Sequence, residues 1–588
     1  MKKKCVIFGA GGYGHKAYEL LQDKYDIIGF SDNDEKKWGK ILLDKPIVQP
    51  DSLIQIKDII IIIASQWYAA INSQLRKIGI ENIMVFLCKT SEKIVSNNTP
   101  YILCELPKDK LFEKCKLDWE KIDKIKTDFS ENYEKMSISK SSLLEKENGL
   151  KKVLFCANWF PPIGGVGVQR SLKFVKYLRN YGYEPIVLTC MPDNCWHFVI
   201  DETLLKEIED DITIIRINND VYLYEMIPEE EQQEILNLYA GITESKQWIE
   251  QYIKFQGKLS PTTSICWVNR CLKYIESKID LNKIDLIYTT GDPYETYILG
   301  YYIKNKYEIP WVQDYRDPWC TNKYFIENIY DSLWTQTFFM QEKLEEKLVQ
   351  KSDIVLVAAE GMIEEFVIKY NVNESKFIEI NNGYDEEDFK NICVKTDKNE
   401  KFTLCYNGHV YKTTNPITLL HTINKMIEQK KINTDKIQWI FNGVVENEWK
   451  QRLDKDDKYK IIKYNGHLSH SDGIQIAINS DVLVLFGGIG EGAKMIYTGK
   501  AFEYLRMKKP ICCFSSKDGV LDKLLTKTQT GETFEYDDFD NLEKYLLQLY
   551  QRWEKGDNII EVNEKEIEKY SRENETKCLA EVFNKIIN

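Results

Sequence analysis

The chain has 588 residues, 43% hydrophobic and 29% charged, with a net charge of −12. The length exceeds what one hydrophobic core serves and is read as three compact units, while the composition excludes a disordered chain. With an excess of acid there is no chain-wide positive field, which excludes nucleic acid as an expected partner. Fifteen cysteines are scattered with no C-x-x-C spacing, which reads them as core residues in a reducing compartment. The longest aliphatic run, Ile59 to Ile63, is far below the ~20 residues that span a bilayer. The chain is therefore expected to be cytoplasmic, or peripheral to the inner face of the cell membrane.

In chain order, a strand at Cys5 to Phe8 is followed by a glycine loop, a helix to about Leu21 and a strand at Asp26 to Phe30. Strands at Asp58 to Ile63 and Asn82 to Phe86 complete a Rossmann-like nucleotide-binding domain over residues 1–91. Residues 92–149 are mixed in charge and read as a partly helical connector. A second alternating run, residues 150–395, has strands at Lys152 to Asn158, Pro185 to Thr189, Leu286 to Thr289, Trp311 to Gln313, Ile354 to Val357 and Phe377 to Ile380. Within it, Val221 to Ser277 is an aromatic, acidic and mostly helical insertion. Its Tyr222, Tyr224, Trp248, Tyr252, Phe255 and Trp267 read either as core or as a ligand groove or membrane-facing surface. A third run, residues 396–565, has strands at Phe402 to Tyr406, Ile437 to Phe441, Ile461 to Tyr464, Val482 to Phe486 and Ile511 to Phe514. A helix from Glu566 to Ile587 follows. The fold class is α/β, with three Rossmann-like doubly wound units.

Residues 9–14 read G-A-G-G-Y-G between a strand and a helix, with Asp32 at the end of the next strand. Gly9 permits the turn, Gly11 lets a diphosphate approach the backbone, Gly14 lets helix and strand pack, and Asp32 is placed to take ribose hydroxyls. The alternative is a tight turn that binds nothing, and His15 is either a pocket residue or a helix-surface one. At residues 160–170, F-P-P-I-G-G-V-G-V-Q-R again joins a strand to a helix. Gly164, Gly165 and Gly167 are expected to leave backbone open to a ligand, with the helix N-terminus favouring an anion. That helix is expected to turn Val168, Leu172, Val175 and Leu178 inward and Lys173, Lys176 and Arg179 outward. Asp314, Arg316 and Asp317 cluster at a strand end, where ligand crevices form. Asp317 is read either as a ligand-binding carboxylate or as part of an Arg316–Asp317 structural network. His467 and His470 lack carboxylate or cysteine partners nearby in sequence, and no metal site is expected. A loop role near a nucleotide base is expected of them.

Residues 1–90, on G-A-G-G-Y-G-H and G-F-S-D-N-D-E-K-K-W-G-K, resemble the nucleotide-binding domain at the front of bacterial sugar acetyltransferases. That resemblance implies a second nucleotide or nucleotide sugar in this domain. From residue 151 on, the glycine loop, Y-T-T-G-D-P-Y-E-T-Y, W-V-Q-D-Y-R-D-P-W, N-N-G-Y-D-E-E-D-F and G-K-A-F-E-Y-L resemble the family 4 retaining glycosyltransferases of GT-B architecture. The resemblance implies an acceptor domain over 150–395, a donor domain over 396–565 and a C-terminal helix, 566–588, packing back on the acceptor domain. It implies transfer from a UDP-, GDP- or dTDP-sugar to a saccharide or lipid-linked acceptor, with retention, no required metal or cofactor, and a role in surface polysaccharide synthesis. The ribose role falls on Glu503, while the family's earlier glutamate is replaced by Met495. Lys500, Lys412, Gly408 and His409 are expected around the diphosphate, with an internal Lys500–Glu503 pair as the alternative for Lys500. Asp317, Lys412 and Lys500 are the expected catalytic groups. A histidine of many relatives has no counterpart, Tyr297 being nearest. A nucleotide-sugar-binding regulator without turnover and a sugar-nucleotide epimerase are the rival readings. The front domain is expected to be dispensable for transfer, so that a fragment starting near Lys151 folds alone.

Overall fold

A computed structural model of the protein describes residues 2–65, 68–88, 101–105, 137–138, 149–192, 200–218, 229–243, 264–321, 332–395, 397–411, 414–488, 490–557 and 560–587. Among them the strands form three sheets, and the protein is a mixed α/β fold. The first holds β1 (Lys3–Phe8), β2 (Tyr25–Ser31), β3 (Ile41–Leu42), β4 (Lys45–Val48), β5 (Ile60–Ile63), β6 (Ile83–Cys88) and β7 (Tyr101–Glu105), in the order β3-β4-β2-β1-β5-β6-β7. The second holds β8 (Ser137–Ile138), β9 (Lys151–Ala157), β10 (Tyr183–Cys190), β11 (Thr213–Ile217), β12 (Leu286–Gly291), β13 (Trp311–Tyr315), β14 (Ile354–Val357) and β15 (Phe377–Glu379), in the order β15-β14-β13-β12-β9-β10-β11-β8. The third holds β16 (Phe402–Asn407), β17 (Ile437–Asn442), β18 (Ile462–Gly466), β19 (Val482–Gly488), β20 (Ile511–Ser515) and β21 (Gly531–Phe534), in the order β18-β17-β16-β19-β20-β21.

Each sheet is doubly wound about its central strand, so strand order reverses between β1 and β5, between β9 and β12, and between β16 and β19. Crevices for ligands open at such points, beyond the carboxyl ends of the strands. The central strands are continuous apolar runs because helices cover both faces. Val153 to Ala157 of β9, for example, are at most 1% exposed.

Several short strands escape the sequence pattern. β7 and β8 both lie inside the segment read as connector: β7 extends the first sheet antiparallel to β6, and β8 closes the edge of the second against β11. β11 and β21 were not among the expected strands. Such short pieces take their order from the neighbouring strand more than from their own alternation. The expected helix from Glu566 is broken. It runs as Glu564–Glu568 and Arg572–Ile587, because Tyr384 donates its amide to the Tyr570 carbonyl and accepts from the Arg572 amide, at 3.0 and 2.8 Å. Beyond the break, Leu579, Ala580, Val582 and Phe583 sit in the core beside Phe155 and Tyr288 of the second sheet. Within the insertion, Trp267 is fully buried core; Tyr222, Tyr224, Trp248, Tyr252 and Phe255 lie outside the described residues.

The front unit is not separated from the second. Helix Tyr68–Lys77 packs against helix Gly361–Tyr370. Ile71 and Leu75 of the former share one apolar cluster with Met362, Phe366 and Tyr370 of the latter, with Ile363 and Val367 packed against it. A fragment beginning at Lys151 would lose β8 and bare this face, at about 1.5–3 kcal/mol for each large apolar side chain fully uncovered. We therefore expect it to melt below the full chain and to self-associate. Thermal melts and size-exclusion chromatography check this; a monomeric fragment as stable as the full chain would show the interface to be dispensable.

Candidate functional site

In the front unit Gly9 has φ +116°, and a Cβ there would lie 2.4 Å from the Ala64 carbonyl oxygen at the end of β5. A Cβ at Gly14 would lie 1.8 Å from the Gly9 oxygen, whereas those of Gly11 and Gly12 would meet nothing within 4 Å. Gly9 and Gly14 thus serve packing, and Gly11 leaves the loop open. Asp32 is already engaged: it accepts from the amides of Ala10 and Asp34 at 2.7 and 2.9 Å and from Lys37 at 2.9 Å. Burial raises its pKa, but these bonds outweigh burial and hold the carboxyl below its ordinary range. Its expected ribose role must compete with the loop that it braces. His15 is half-buried on the helix.

In the second unit the glycine loop ends at Gly165, with φ +118°, an N-cap with no atom within 4 Å of its missing side chain. Gly164 is buried. Gly167 answers to a different need, since a Cβ there would lie 2.1 Å from Arg316 Nη1. It makes room for an arginine and not for a ligand. Arg316 donates to the carbonyls of Gly291 (2.5 Å), Asp292 (2.9 Å) and Gly167. An Arg316–Asp317 network is therefore replaced by one of peptide oxygens, and Asp317 lies exposed with no side-chain hydrogen bond or ion pair among the described residues.

The third member of that cluster, Asp314, is fully buried. Arg170, 1% exposed, grips it with two bonds of 2.9 and 2.8 Å and gives a third, of 2.7 Å, to the Asn381 carbonyl. Tyr288 and Thr290 donate to the same carboxylate, at 2.5 and 3.2 Å. Tyr297, expected nearest to the missing histidine, is fully buried, donating to the Asp314 carbonyl and accepting from the Gly291 amide. Its hydroxyl supports the crevice wall from behind.

Lys173 and Lys176 do not point outward as expected. Lys173 pairs with Asp385 at 2.8 Å and with Glu207, and Lys176 with Glu207 at 2.9 Å and with Asp385 and Glu387, both at 3.2 Å. Burial raises the Asp385 pKa, but Lys173 outweighs it and holds the carboxyl at about 2. Arg179 similarly grips Glu184, Glu209 and Asp211. The acidic side of the passage between units draws these cations in.

In the third unit a ladder of asparagine side chains crosses the strand ends, Asn465 donating to Asn442 at 2.7 Å and Asn442 to Asn407 at 2.8 Å. Beside it Gly408, with φ +146°, packs against Lys500: a Cβ there would lie 2.4 Å from Lys500 Cε and 2.6 Å from Nζ. Lys500 is half-buried with no hydrogen bond or ion pair among the described residues. Burial holds its ammonium below the ordinary range, with Glu503 opposing. Glu503, one turn on, instead meets His470 Nε2 at 2.9 Å. This bond raises the histidine to about 8, with burial opposing and the charges of Glu503 and Asp388 adding. The internal Lys500–Glu503 pair is absent, and His470 is placed by Glu503. His409 lies 3.7 Å from Glu446 at the rim; His467 is exposed, and Lys412 lies outside the described residues. Met495 does not enter a polar site but rests on Gly361 of the second unit, Cγ being 3.1 Å from where a Cβ would stand.

Two features escaped the sequence reading. One is the loop after β19, G-G-I-G-E-G at 487–492, where Gly490 has φ +115° and nothing within 4 Å; its glycine spacing was the available signal. The other is Asp292, open at the end of β12. Loss of solvation raises its carboxyl to about 6, Arg316 opposing and Asp317 adding. Among the described residues, no group of three or more His, Cys, Asp or Glu side chains could hold a metal.

Residues 1–86 match the family described as C2185-like, N-terminal. No curated protein matches the chain. Among solved structures, the chain is similar to a glycosyltransferase from Rickettsia africae ESF-5, with 13% identity, 75% of this chain and 99% of that one covered, and a TM-score of 0.46. It is also similar to the sucrose-phosphate synthase of Thermosynechococcus elongatus, with 10% identity, 74% and 98% covered, and a TM-score of 0.47. A UDP-N-acetylglucosamine 2-epimerase of Listeria monocytogenes follows at 11% identity, 73% and 94% covered, and a TM-score of 0.37.

The Arg170–Asp314 pair generates a direct expectation. Arg170→Met strands a carboxylate inside the second unit, and losing one partner of a buried pair costs about 3–5 kcal/mol. Denaturant unfolding should show a loss of that size; a loss below about 1 kcal/mol would mean that the pair is not what holds the loop.

Proposed function

We propose that the protein is a glycosyltransferase of GT-B type that moves a sugar from a nucleotide-sugar donor to a saccharide or lipid-linked acceptor. The observation that carries this reading is the crevice of the third unit. There an unpaired, half-buried ammonium, Lys500, lies against Gly408, and the carboxylate of Glu503 stands one helical turn further on. A cation that keeps no carboxylate partner at a topological switch point suits the diphosphate of a nucleotide sugar, and a carboxylate beside it suits ribose hydroxyls. Helix Gly499–Met507 adds its N-terminal amides to the same place.

In this reading the third unit holds the donor and the second the acceptor, with Asp317 at the acceptor side. The loop Gly164–Gly165 admits the donor's reacting end. Lys500, with Lys412 beside it as the sequence resemblance implies, offsets the charge of the departing diphosphate. The two units close on the donor and exclude water. Retention of anomeric configuration, a family 4 relationship and a place in surface polysaccharide synthesis follow from the sequence resemblance. A second nucleotide or nucleotide sugar is proposed for the front crevice, at Gly9, Gly11, Gly14 and Asp32. Contact with the inner face of a membrane belongs to the same proposal, through the lipid-linked acceptor.

Glu503→Ala removes the ribose contact and frees His470. The donor should then bind about tenfold to a hundredfold more weakly, the size of a lost charged hydrogen bond of ~1.5–3 kcal/mol, while the fold stays intact. Calorimetry with a panel of nucleotide sugars measures it; unchanged donor affinity in a folded variant would remove Glu503 from the site.

With Lys500 doing the work of charge neutralisation, transfer is expected to need no divalent ion. Assays in EDTA should keep nearly the full rate. Loss of activity that manganese or magnesium restores would refute this mechanism.

A further inference from the structure

Beyond β12 the chain turns through Gly291, Asp292, Pro293 and Tyr294, and the guanidinium of Arg316 holds the turn in place. That group gives its N–H donors to the carbonyls of Gly291, Asp292 and Gly167. It thus pins together the start of the helix that follows the glycine loop and the turn after β12, where strand order reverses. Because its donors go to peptide oxygens, Arg316 leaves the nearby carboxylate without a direct partner.

The side chain of Asp292 makes no hydrogen bond or ion pair among the described residues and opens to water at the crevice. Its neighbours are differently placed: Asp314 is saturated by Arg170, Tyr288 and Thr290, and Glu295 is buried and accepts from Ser264. The groups that face Asp292 are Tyr294 and Glu295 from its own turn and Arg316 and Asp317 from the end of β13. The Tyr294 hydroxyl is committed to the carbonyls of Asp317 and Pro318, and its ring stacks on Trp319 at 4.9 Å. The turn is therefore rigid on both sides of a free acceptor of hydrogen bonds. An ionised carboxylate kept unpaired on a braced turn is preorganised for a donor from outside the protein.

Resting on the glycosyl-transfer reading, we propose that Asp292 binds the acceptor: its carboxylate receives the hydrogen bond of the saccharide's attacking hydroxyl and fixes that oxygen in the crevice. The group accepts most strongly when ionised. Its carboxyl, raised to about 6, should make the acceptor KM climb as pH falls through that value, because the neutral acid's carbonyl oxygen accepts a weaker hydrogen bond than the carboxylate does.

The test uses the full chain, the nucleotide sugar that most raises its melting temperature, and octyl glycosides of glucose, galactose and mannose as acceptors. Asp292→Asn and Asp292→Ala are expected to raise the acceptor KM tenfold or more, with donor affinity by calorimetry unchanged. The climb in KM below pH 6 should vanish in Asp292→Asn. Both variants should melt no lower than the parent, since the residue removed has no partner. An Asn variant with the parental acceptor KM, or with the parental pH dependence, overturns the assignment, as does a parallel loss of donor affinity, which a disturbed fold would produce. If the parent protein binds no nucleotide sugar, it is the transferase reading that fails, and the role of Asp292 falls with it.

Discussion

Arg170 and Asp314 set the geometry on which the second unit depends. Water reaches neither, and a buried pair of this kind is a liability unless every hydrogen-bonding position is used. Here each guanidinium nitrogen finds an acceptor: the group gives Asp314 two hydrogen bonds and the Asn381 carbonyl a third, lies 4.8 Å from the Phe174 ring, and shares the carboxylate with Tyr288 and Thr290. The helix behind the glycine loop is thereby fixed to β12 and β13, the strands whose ends carry Asp292, Arg316 and Asp317. Asn381 also begins the passage to the third unit, so the group that shapes the crevice wall also directs the chain as it leaves.

The passage is held from several directions. Lys173 and Lys176 neutralise Asp385, the Tyr177 hydroxyl donates to it at 2.8 Å, and Tyr384 bridges to Tyr570 and Arg572 on the returning chain. On another side, Met495 rests on Gly361, the first residue of a helix that also packs on the front unit. That helix, Gly361–Tyr370, touches elements of all three units. The front unit and the segment after β19 thus meet on one shared element.

Much of the fold was legible in the residues. Central strands such as β1, β9 and β19 are buried on both faces and had to be written largely as apolar runs, and the glycines after β1 and β9 marked their loops. What stayed hidden was decided by partners distant in sequence. β7 and β8 are short and sit in charged surroundings; the edges that they complete order them. Lys173 and Lys176 looked like a solvated helix face because nothing in their own helix shows the carboxylates of Glu207 and Asp385. Gly167 was expected to leave backbone open to a ligand and Gly408 to lie near a diphosphate; a Cβ at either would meet instead a side chain of the protein, Arg316 or Lys500. Glu503 and Lys500 were singled out by motif as candidates, whereas the pairing of Glu503 with His470 spans 33 positions and has no local signal. Asp292 was overlooked because an isolated aspartate beside a proline reads as an ordinary turn.

The return of the last helix has a consequence for how the protein is made. Leu579, Val582 and Phe583 fill the core beside Phe155 and Tyr288, and the Tyr183 hydroxyl waits for Asn584, its partner at 2.7 Å. On a ribosome adding ~5–20 residues per second, the second sheet is complete in strands on the order of 10–40 s before the helix that seals it is synthesised. During that interval its face carries exposed aromatic rings. Truncations at the carboxyl end are therefore expected to cause damage far from where they are made.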